Sequence, residues 1–562
     1  MSTTAPAPAT PELAGLAPSA PRDDPWWRTA VVYQIYVRSF RDSTGTGTGD
    51  LGGVLERLPY LRRLGVDAIW LSPFYPSPQH DHGCDVADYE GVDPRFGDLD
   101  LMRQVIDHAH ALGLRVMIDI VPNHCSTDHP WFRAALAAAP ESPERALFHF
   151  ADGRGPDGTE PPNNWRSIFG GSSWARTTTA DGTPGQYYLH SFAPEQADFN
   201  WADPRVGDYF ASILRFWLDL GVDGFRIDVA HGLHKQPGLP DDPQAALDET
   251  TGDPVNSAAW NRPEVHDVWR RWRKLTDAYE ERDGRARVLV GEIGVLDPRQ
   301  VALYQRPDEL HQSFLFEFLR TDWDATAFHD VIRRGMNAVT ASGSAVSWVL
   351  NNHDMPRVVT RYAGGEPGGG PGDVALGERR ARAALLMMLA LPGSVYLYQG
   401  EELGLAEVVD LPVSALQDPM YHRSAGARRG RDGCRVPLPW QTDTPSYGFT
   451  SASAAWLPQP RWFSSYGADE QQRRGESTLH LYRAALALRS AVPDFRHSEL
   501  VWHRPPDSPD GVVSFQRGRL LCTVNCGPAP VPAPEAAALL LSSAEDLEEG
   551  KQPPHSAAWW LV

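Results

Sequence analysis

The chain has 562 residues, 42% hydrophobic, 22% charged and 10% aromatic, with 19 Trp, which is the make-up of a folded protein long enough for several domains. Its net charge of -20, with no long Lys/Arg run, argues against nucleic acid or an anionic membrane surface as a partner and favours a neutral or cationic ligand. No apolar run approaches the roughly 20 residues that span a bilayer, and the N-terminal segment lacks a secretory leader's basic and apolar regions. A cytoplasmic location is expected.

Residues 1–24 are rich in Ala, Pro and Thr, without periodicity, and are expected to form a disordered tail. From Trp26-Trp27 onward, short β-type runs alternate with amphipathic helical stretches, the pattern of βαβ units around a parallel sheet. The expected strands are Val31–Tyr36, Ala68–Leu71, Val116–Ile120, Gly224–Ile227, Val288–Gly291, Phe314–Phe316, Ser347–Leu350 and Val395–Tyr398. Eight of them predict a closed (β/α)8 TIM barrel over residues 25–122 and 201–490. The stretch 123–200 is too long for a βα loop and reads as an inserted small domain. A second insertion is expected from Gly232 to about Asn261. The last segment, 491–562, has short alternating runs and is expected to be an all-β sandwich domain. The five Cys are scattered and fit reduced thiols. Cys522 and Cys526, spaced CxxxC with no second Cys/His pair nearby, read as two small hydrophobes and not as a zinc half-site.

Acidic residues fall at the carboxyl ends of the predicted strands: Asp119 on the third, Asp228 after the fourth, Glu292 after the fifth and Asp354 after the seventh. In an α/β barrel those ends open on one rim, so residues hundreds apart converge there. Arg226, two positions before Asp228, shares its inward face by strand alternation and is expected to keep that carboxylate ionised.

The segments Asp119-Ile-Val-Pro-Asn-His124, Gly224-Phe-Arg-Ile-Asp228, Val290-Gly-Glu292 and Asn351-Asn-His-Asp354 resemble, in order, the characteristic regions of the α-amylase superfamily of glycoside hydrolases. Gln196-Ala-Asp-Phe-Asn200 is similar to its additional region. Tyr33-Gln-Ile-Tyr-Val-Arg-Ser-Phe40 and Gln399-Gly-Glu-Glu-Leu-Gly404 resemble the α-glucosidase and oligo-1,6-glucosidase branch. The resemblance spans residues 26–490. It implies a catalytic barrel with an inserted domain B, a retaining mechanism and a small oligosaccharide substrate, with no nucleic acid, no membrane and no assigned oligomeric state.

It further implies Asp228 as nucleophile, Glu292 as general acid/base and Asp354 as the carboxylate that stabilises the transition state, with His124 and His353 on the sugar hydroxyls. Gly83-Cys-Asp85 and Arg431-Asp-Gly-Cys-Arg435 resemble two segments that close the pocket in that branch, which implies a pair between Asp85 and Arg435 and exo action. His231 faces either an acceptor subsite or a structural role. Cys84 stands where the family usually places a stacking Tyr. In the loop Asp42–Asp50, which the branch uses for calcium, Thr44, Thr46 and Thr48 leave only Asp42 and Asp50 as acidic ligands, so weak or no calcium binding is expected and no cofactor. Val229 is a residue type associated with α-1,6 specificity, and packing alone explains it equally well. Two activities fit the motifs: an exo-α-glucosidase, and a transglucosylase or isomerase of the trehalose-synthase kind with the same triad.

Overall fold

A computed structural model describes residues 25–562 except 180, 244–255, 296, 365–371, 504–510, 536 and 545–549. The expected N-terminal tail and much of the second insertion lie outside the described residues.

Eight parallel strands alternate with helices: β1 (Val31–Ile35), α1 (Leu51–Leu64), β2 (Ala68–Leu71), α2 (Leu99–Ala111), β3 (Arg115–Ile120), α3 (Pro204–Leu220), β4 (Gly224–Ile227), α4 (Val265–Asp283), β5 (Val288–Gly291), α5 (Pro298–Leu303), β6 (Gln312–Ser313), α6 (Ala325–Ser342), β7 (Ser347–Val349), α7 (Val374–Ala390), β8 (Ser394–Tyr398) and α8 (Thr478–Ala491). Their lateral order is β6-β5-β4-β3-β2-β1-β8-β7. One parallel bridge between Phe314 and Ser347 closes the ring. The sixth strand is therefore shorter and earlier than its apolar run suggests: Phe314 makes only that bridge, and Phe316 opens a short helix, Phe316–Arg320.

The strands are buried on both sides. Val32, Trp70, Met117, Val290, Val349 and Tyr396 fill the barrel, while alternate residues such as Ile69, Ile118 and Phe225 pack against the helices. Local chemistry ends the helices cleanly. Asp50 caps α1 by accepting from the Gly53 N–H at 2.6 Å, Asp203 with Pro204 starts α3, and Gly221, at φ 116°, ends α3 in the left-handed conformation glycine tolerates.

The insertion after β3 carries two small antiparallel sheets, one pairing His124–Ser126 with Gln196–Asp198, the other made of Phe150–Ala151, Trp174–Thr178 and Pro184–Leu189. The C-terminal part is an antiparallel sheet of five strands (Val501–Trp502, Val512–Arg517, Leu520–Asn525, Ser556–Leu561, Ala538–Ser542) with a two-stranded pair, Val531–Pro532 and Lys551–Gln552. The five-stranded sheet packs on the barrel. Trp559 Nε1 donates to the Leu386 carbonyl of α7 at 3.0 Å, Arg517 Nη1 to the Ala390 carbonyl at 2.8 Å, and α7 is buried from Ala383 to Ala390. On the opposite face Thr523 donates to Gln552 of the two-stranded pair at 2.6 Å. No described helix is long and apolar enough to cross a membrane.

Candidate active site

The site grows from strand register. Asp119 of β3 lies directly beside Arg226 of β4, which lies beside Val290 of β5, so the carboxyl ends of three adjacent strands present Asp119, Arg226 with Asp228, and Glu292 at one level. Arg226, 2% exposed, is shared among three acids. Its Nη1 is 2.7 Å from Asp119 Oδ1 and 2.7 Å from Asp228 Oδ1, and its Nη2 is 2.8 Å from Glu292 Oε2. Trp70 completes the floor. Its Nε1 donates to Asp119 Oδ2 at 2.9 Å, and its ring lies 5.1 Å below the guanidinium.

Asp119 is sealed, whereas the side chains of Asp228, Glu292 and Asp354 keep 13%, 19% and 28% exposure, so these three acids face the open pocket. Burial pushes Asp228 up to about 6 against the pull of Arg226, and Asp119 adds to the rise. Arg226 pulls Asp228 toward its ionised form, but one cation divided among three carboxylates offsets only part of the desolvation of each. Burial likewise raises Glu292 to about 8, with Arg226 opposing and Asp228 and Asp354 reinforcing. Asp354 moves the other way: beside His353, the guanidinium groups of Arg431 and Arg435 overcome its burial and hold it well below the usual carboxylate range.

Asp354 belongs to a second cluster. Arg435 Nη2 and Arg431 Nη1 reach its Oδ1 at 2.9 and 3.2 Å, and His353 Nε2 lies 3.4 Å from its Oδ2. Gln34 Nε2 donates to His353 Nδ1 at 2.8 Å, and burial keeps His353 neutral, with its pKa lowered to about 3. His124, lowered by burial to about 4, sits 3.0 Å from Gln196 Nε2, which also donates to Asp81 at 3.1 Å. Both histidines thus border the same pocket as the acids.

The expected pair of Asp85 with Arg435 does not form. Asp85 is fully buried and turns away from the pocket, accepting from Ser77 Oγ at 2.9 Å, the His80 N–H at 2.8 Å and the Asp81 N–H at 3.1 Å. It braces the loop. The pair across the pocket is Asp81 with Arg431, at 2.6 Å, and Arg431 is held in addition by Asp418 at 2.7 Å. Arg435 pairs with Asp354 and donates from Nε to the His353 carbonyl at 2.8 Å. Asp81, Arg431 and Asp418 were missed from sequence. Asp81 and Arg431 stand four residues before Asp85 and Arg435, beside or within the same two segments, whereas no motif pointed to Asp418.

His231 ties the loop after β4 to the loop after β5. Its Nδ1 accepts from the Gly294 N–H at 3.2 Å, and its ring stacks 5.3 Å from Trp260, pinning the loop that follows Glu292. Cys84 has a thiol raised by burial and by Asp81, Asp228 and Asp119, an uncharged side chain against the acids.

In the loop Asp42–Asp50 both acids are taken up by hydrogen-bond donors of the protein itself. Asp42 Oδ1 accepts from the N–H of Thr44 and Gly45 at 2.9 and 2.8 Å, and its Oδ2 from Gly47 at 2.7 Å. Asp50 Oδ1 accepts from Gly53 and from Ser43 Oγ, and its Oδ2 from the Ser43 N–H and Thr44 Oγ1. All four carboxylate oxygens thus face donors. No cluster of three or more His, Cys, Asp or Glu suited to a metal occurs among the described residues.

Residues 34–498 match the family model described as the alpha amylase catalytic domain, and residues 507–559 match a family described as a domain of unknown function. A "probable alpha-glucosidase" of Rhizobium meliloti is 39% identical over 492 residues, covering 85% of each chain. The trehalose-6-phosphate hydrolase of Escherichia coli is 36% identical, covering 83% of this chain and 84% of its own. Among solved structures, the α-glucosyl transfer enzyme XgtA superposes with a TM-score of 0.85 at 35% identity, covering 96% of this chain and all of its own.

Proposed function

The chain belongs to the alpha-amylase family and is a glycoside hydrolase; on that premise we propose that it is a retaining exo-α-glucosidase, releasing glucose from the non-reducing end of short α-glucosides. The observation that carries this reading is the single guanidinium of Arg226 spanning Asp228 and Glu292, with Nη1 2.7 Å from Asp228 Oδ1 and Nη2 2.8 Å from Glu292 Oε2, which keeps the two carboxyls close together. Retention needs two carboxyls about 5 to 5.5 Å apart, whereas inversion leaves room for a water between them at about 6.5 to 9.5 Å.

Asp228, ionised above about pH 6, attacks the anomeric carbon, and Glu292, protonated below about pH 8, protonates the departing oxygen. The bond from anomeric carbon to glycosidic oxygen breaks as the bond to Asp228 forms. Glu292, now a carboxylate, then takes a proton from water, and the hydroxyl so generated releases the sugar from Asp228. Asp354, kept charged by Arg431 and Arg435, faces the cationic ring of the transition state. The polar atoms of Asp81, Arg431, His124 and His353 supply hydrogen-bonding partners for the hydroxyls of one terminal sugar, and the Asp81–Arg431 pair blocks further units on that side.

A second reading, glucosyl transfer to another sugar with the same acids, is favoured by the likeness to an α-glucosyl transfer enzyme. A phosphorylated acceptor has less support: Lys235, on the loop after β4, is committed to Asp198 at 3.0 Å and to the Gly232 carbonyl at 2.6 Å. Time-resolved product analysis on maltose, isomaltose, trehalose and sucrose separates these readings. Glucose accumulating from the first turnovers is expected, and trehalose or longer glucosides forming from maltose with little glucose would replace hydrolysis by transfer.

A further inference from the structure

Nine non-glycine residues among those described have positive φ, and Val229 is the one β-branched member, at φ 47° and buried. A β-branched side chain in the left-handed region is a backbone outlier that persists only where its surroundings over-determine it. Here they do. Asp228 N–H donates to the Ile120 carbonyl at 2.9 Å, Ala230 N–H to the Glu292 carbonyl at 2.9 Å, Gly232 N–H to the Val229 carbonyl at 2.9 Å, and Glu292 N–H to the Ile227 carbonyl at 2.8 Å. Gly232 must lack a side chain for this turn to close, since a Cβ there would sit 2.8 Å from Val229 Cγ1 and 2.6 Å from the Trp260 ring.

The turn points the Val229 N–H at the Glu292 side chain, 3.1 Å from Oε2, the same oxygen that Arg226 Nη2 approaches to 2.8 Å. An oxygen that already faces two N–H donors has no favourable direction left for an O–H bond. We propose that Val229 is a positioning residue whose left-handed backbone, together with Arg226, occupies Oε2 of Glu292 and so holds the transferable proton on Oε1. This rests on Glu292 being the general acid. On transfer the Oε1–H bond breaks, the leaving oxygen gains the proton, and the new carboxylate charge is met at Oε2 by the two donors already in place. The strain at Val229 keeps one acceptor site preorganised for the charged product of each proton transfer.

The charged and titratable groups facing Glu292 are Arg226 and Asp228 from β4 and its end, Asp119 from β3, Asp354 across the pocket, and His231, whose ring sits under the following loop. None of them is altered by replacing the Val229 amide with an ester. In the full-length enzyme, α-hydroxyisovaleric acid at position 229 deletes that N–H, and lactic acid at position 230 deletes the neighbouring N–H that bonds only the Glu292 backbone.

The ester at 229 is expected to move the alkaline limb of kcat/KM up by about 0.5 to 1 pH unit and to lower turnover of maltose relative to an aryl glucoside by about threefold or more, because a weaker acid serves poor leaving groups worst. The ester at 230 should leave the limb in place. No shift at 229, or equal shifts at both positions, would overturn the proposal. A neutron structure of the unmodified enzyme below the alkaline limb provides a second readout that needs no variant. Deuterium on Oε1 of Glu292 is expected, and deuterium on Oε2 would overturn it. Failure of the acid assignment itself looks different: the alkaline limb would then survive in Glu292→Gln, whatever happens at Val229.

Discussion

The pocket is built around two arginines that treat their acids in opposite ways. Arg226 is the single cation for Asp119, Asp228 and Glu292, and burial wins: the three titrate at about 6, 6 and 8. Arg431 works beside a second cation, Arg435, and there Asp354 and Asp418 are held far below the ordinary range, although buried Asp81 stays raised. The number of cations per carboxylate therefore separates a group that can exchange protons near neutral pH, Asp119, Asp228 and Glu292, from Asp354 and Asp418, which stay charged. The first suits bond cleavage and the second suits holding a sugar and facing its cationic transition state.

Five experiments bear on this division. The largest effect is expected from Asp228→Ala, which should lower kcat by about 10⁴-fold or more while the fold persists, as measured by steady-state kinetics and circular dichroism. Next, Glu292→Gln should cut turnover of maltose by about 10² to 10³-fold but of an activated aryl glucoside far less, and equal losses on both would remove the acid role. In the second group, Arg431→Lys keeps a charge but loses the planar fork that reaches Asp81, Asp418 and Asp354 together, so kcat/KM on maltose should fall by about 10²-fold with the pH limbs unmoved. If that variant displaced the limbs instead, the two groups would not be independent.

A smaller effect is read from the pH profile of the unaltered enzyme. Activity should rise through about pH 6 as Asp228 loses its proton and fall through about pH 8 as Glu292 loses its own, with roughly tenfold loss per unit beyond either limb. The smallest is no change at all. Asp42 and Asp50 are satisfied by N–H and O–H donors, so a chelator should leave the thermal midpoint within about 1 °C. A drop of several degrees would show that a cation displaces those donors in solution.

Much of this was legible in the chain. Seven of eight strands lie where their apolar runs fall, because a strand buried on both faces must read as a continuous hydrophobic stretch. β6 escaped because only Gln312 and Ser313 pair, and its apolar neighbours Phe314 and Phe316 belong to a bridge and a helix. The carboxylates at strand ends converged as barrel geometry requires. The blind end was misread for a local reason. Asp81 and Asp85 flank a turn in which His82 and Gly83 have positive φ, with Gln79 also positive just before it, and those dihedrals decide which carboxylate enters the pocket and which closes the turn. Spacing alone carries no such information. The sharing of Arg226 among three acids was equally hidden, since two of its partners lie 107 and 66 residues away and pK balance depends on burial that only the assembled rim creates.

The docking of the C-terminal sheet on α7 has a consequence for synthesis on the ribosome. β1 finds its second neighbour only when β8, near residue 396, has emerged, and α7, apolar along its whole second half, stays uncovered until Trp559 and its strand arrive. The open strand edge closes once β8 arrives, but from there to Trp559 the nascent barrel carries a greasy helix face not yet covered by its sheet, a feature that recruits chaperones and seeds aggregation. Yield during expression should therefore respond to chaperone supply and elongation rate over the final 160 or so codons more than to any change at the catalytic rim.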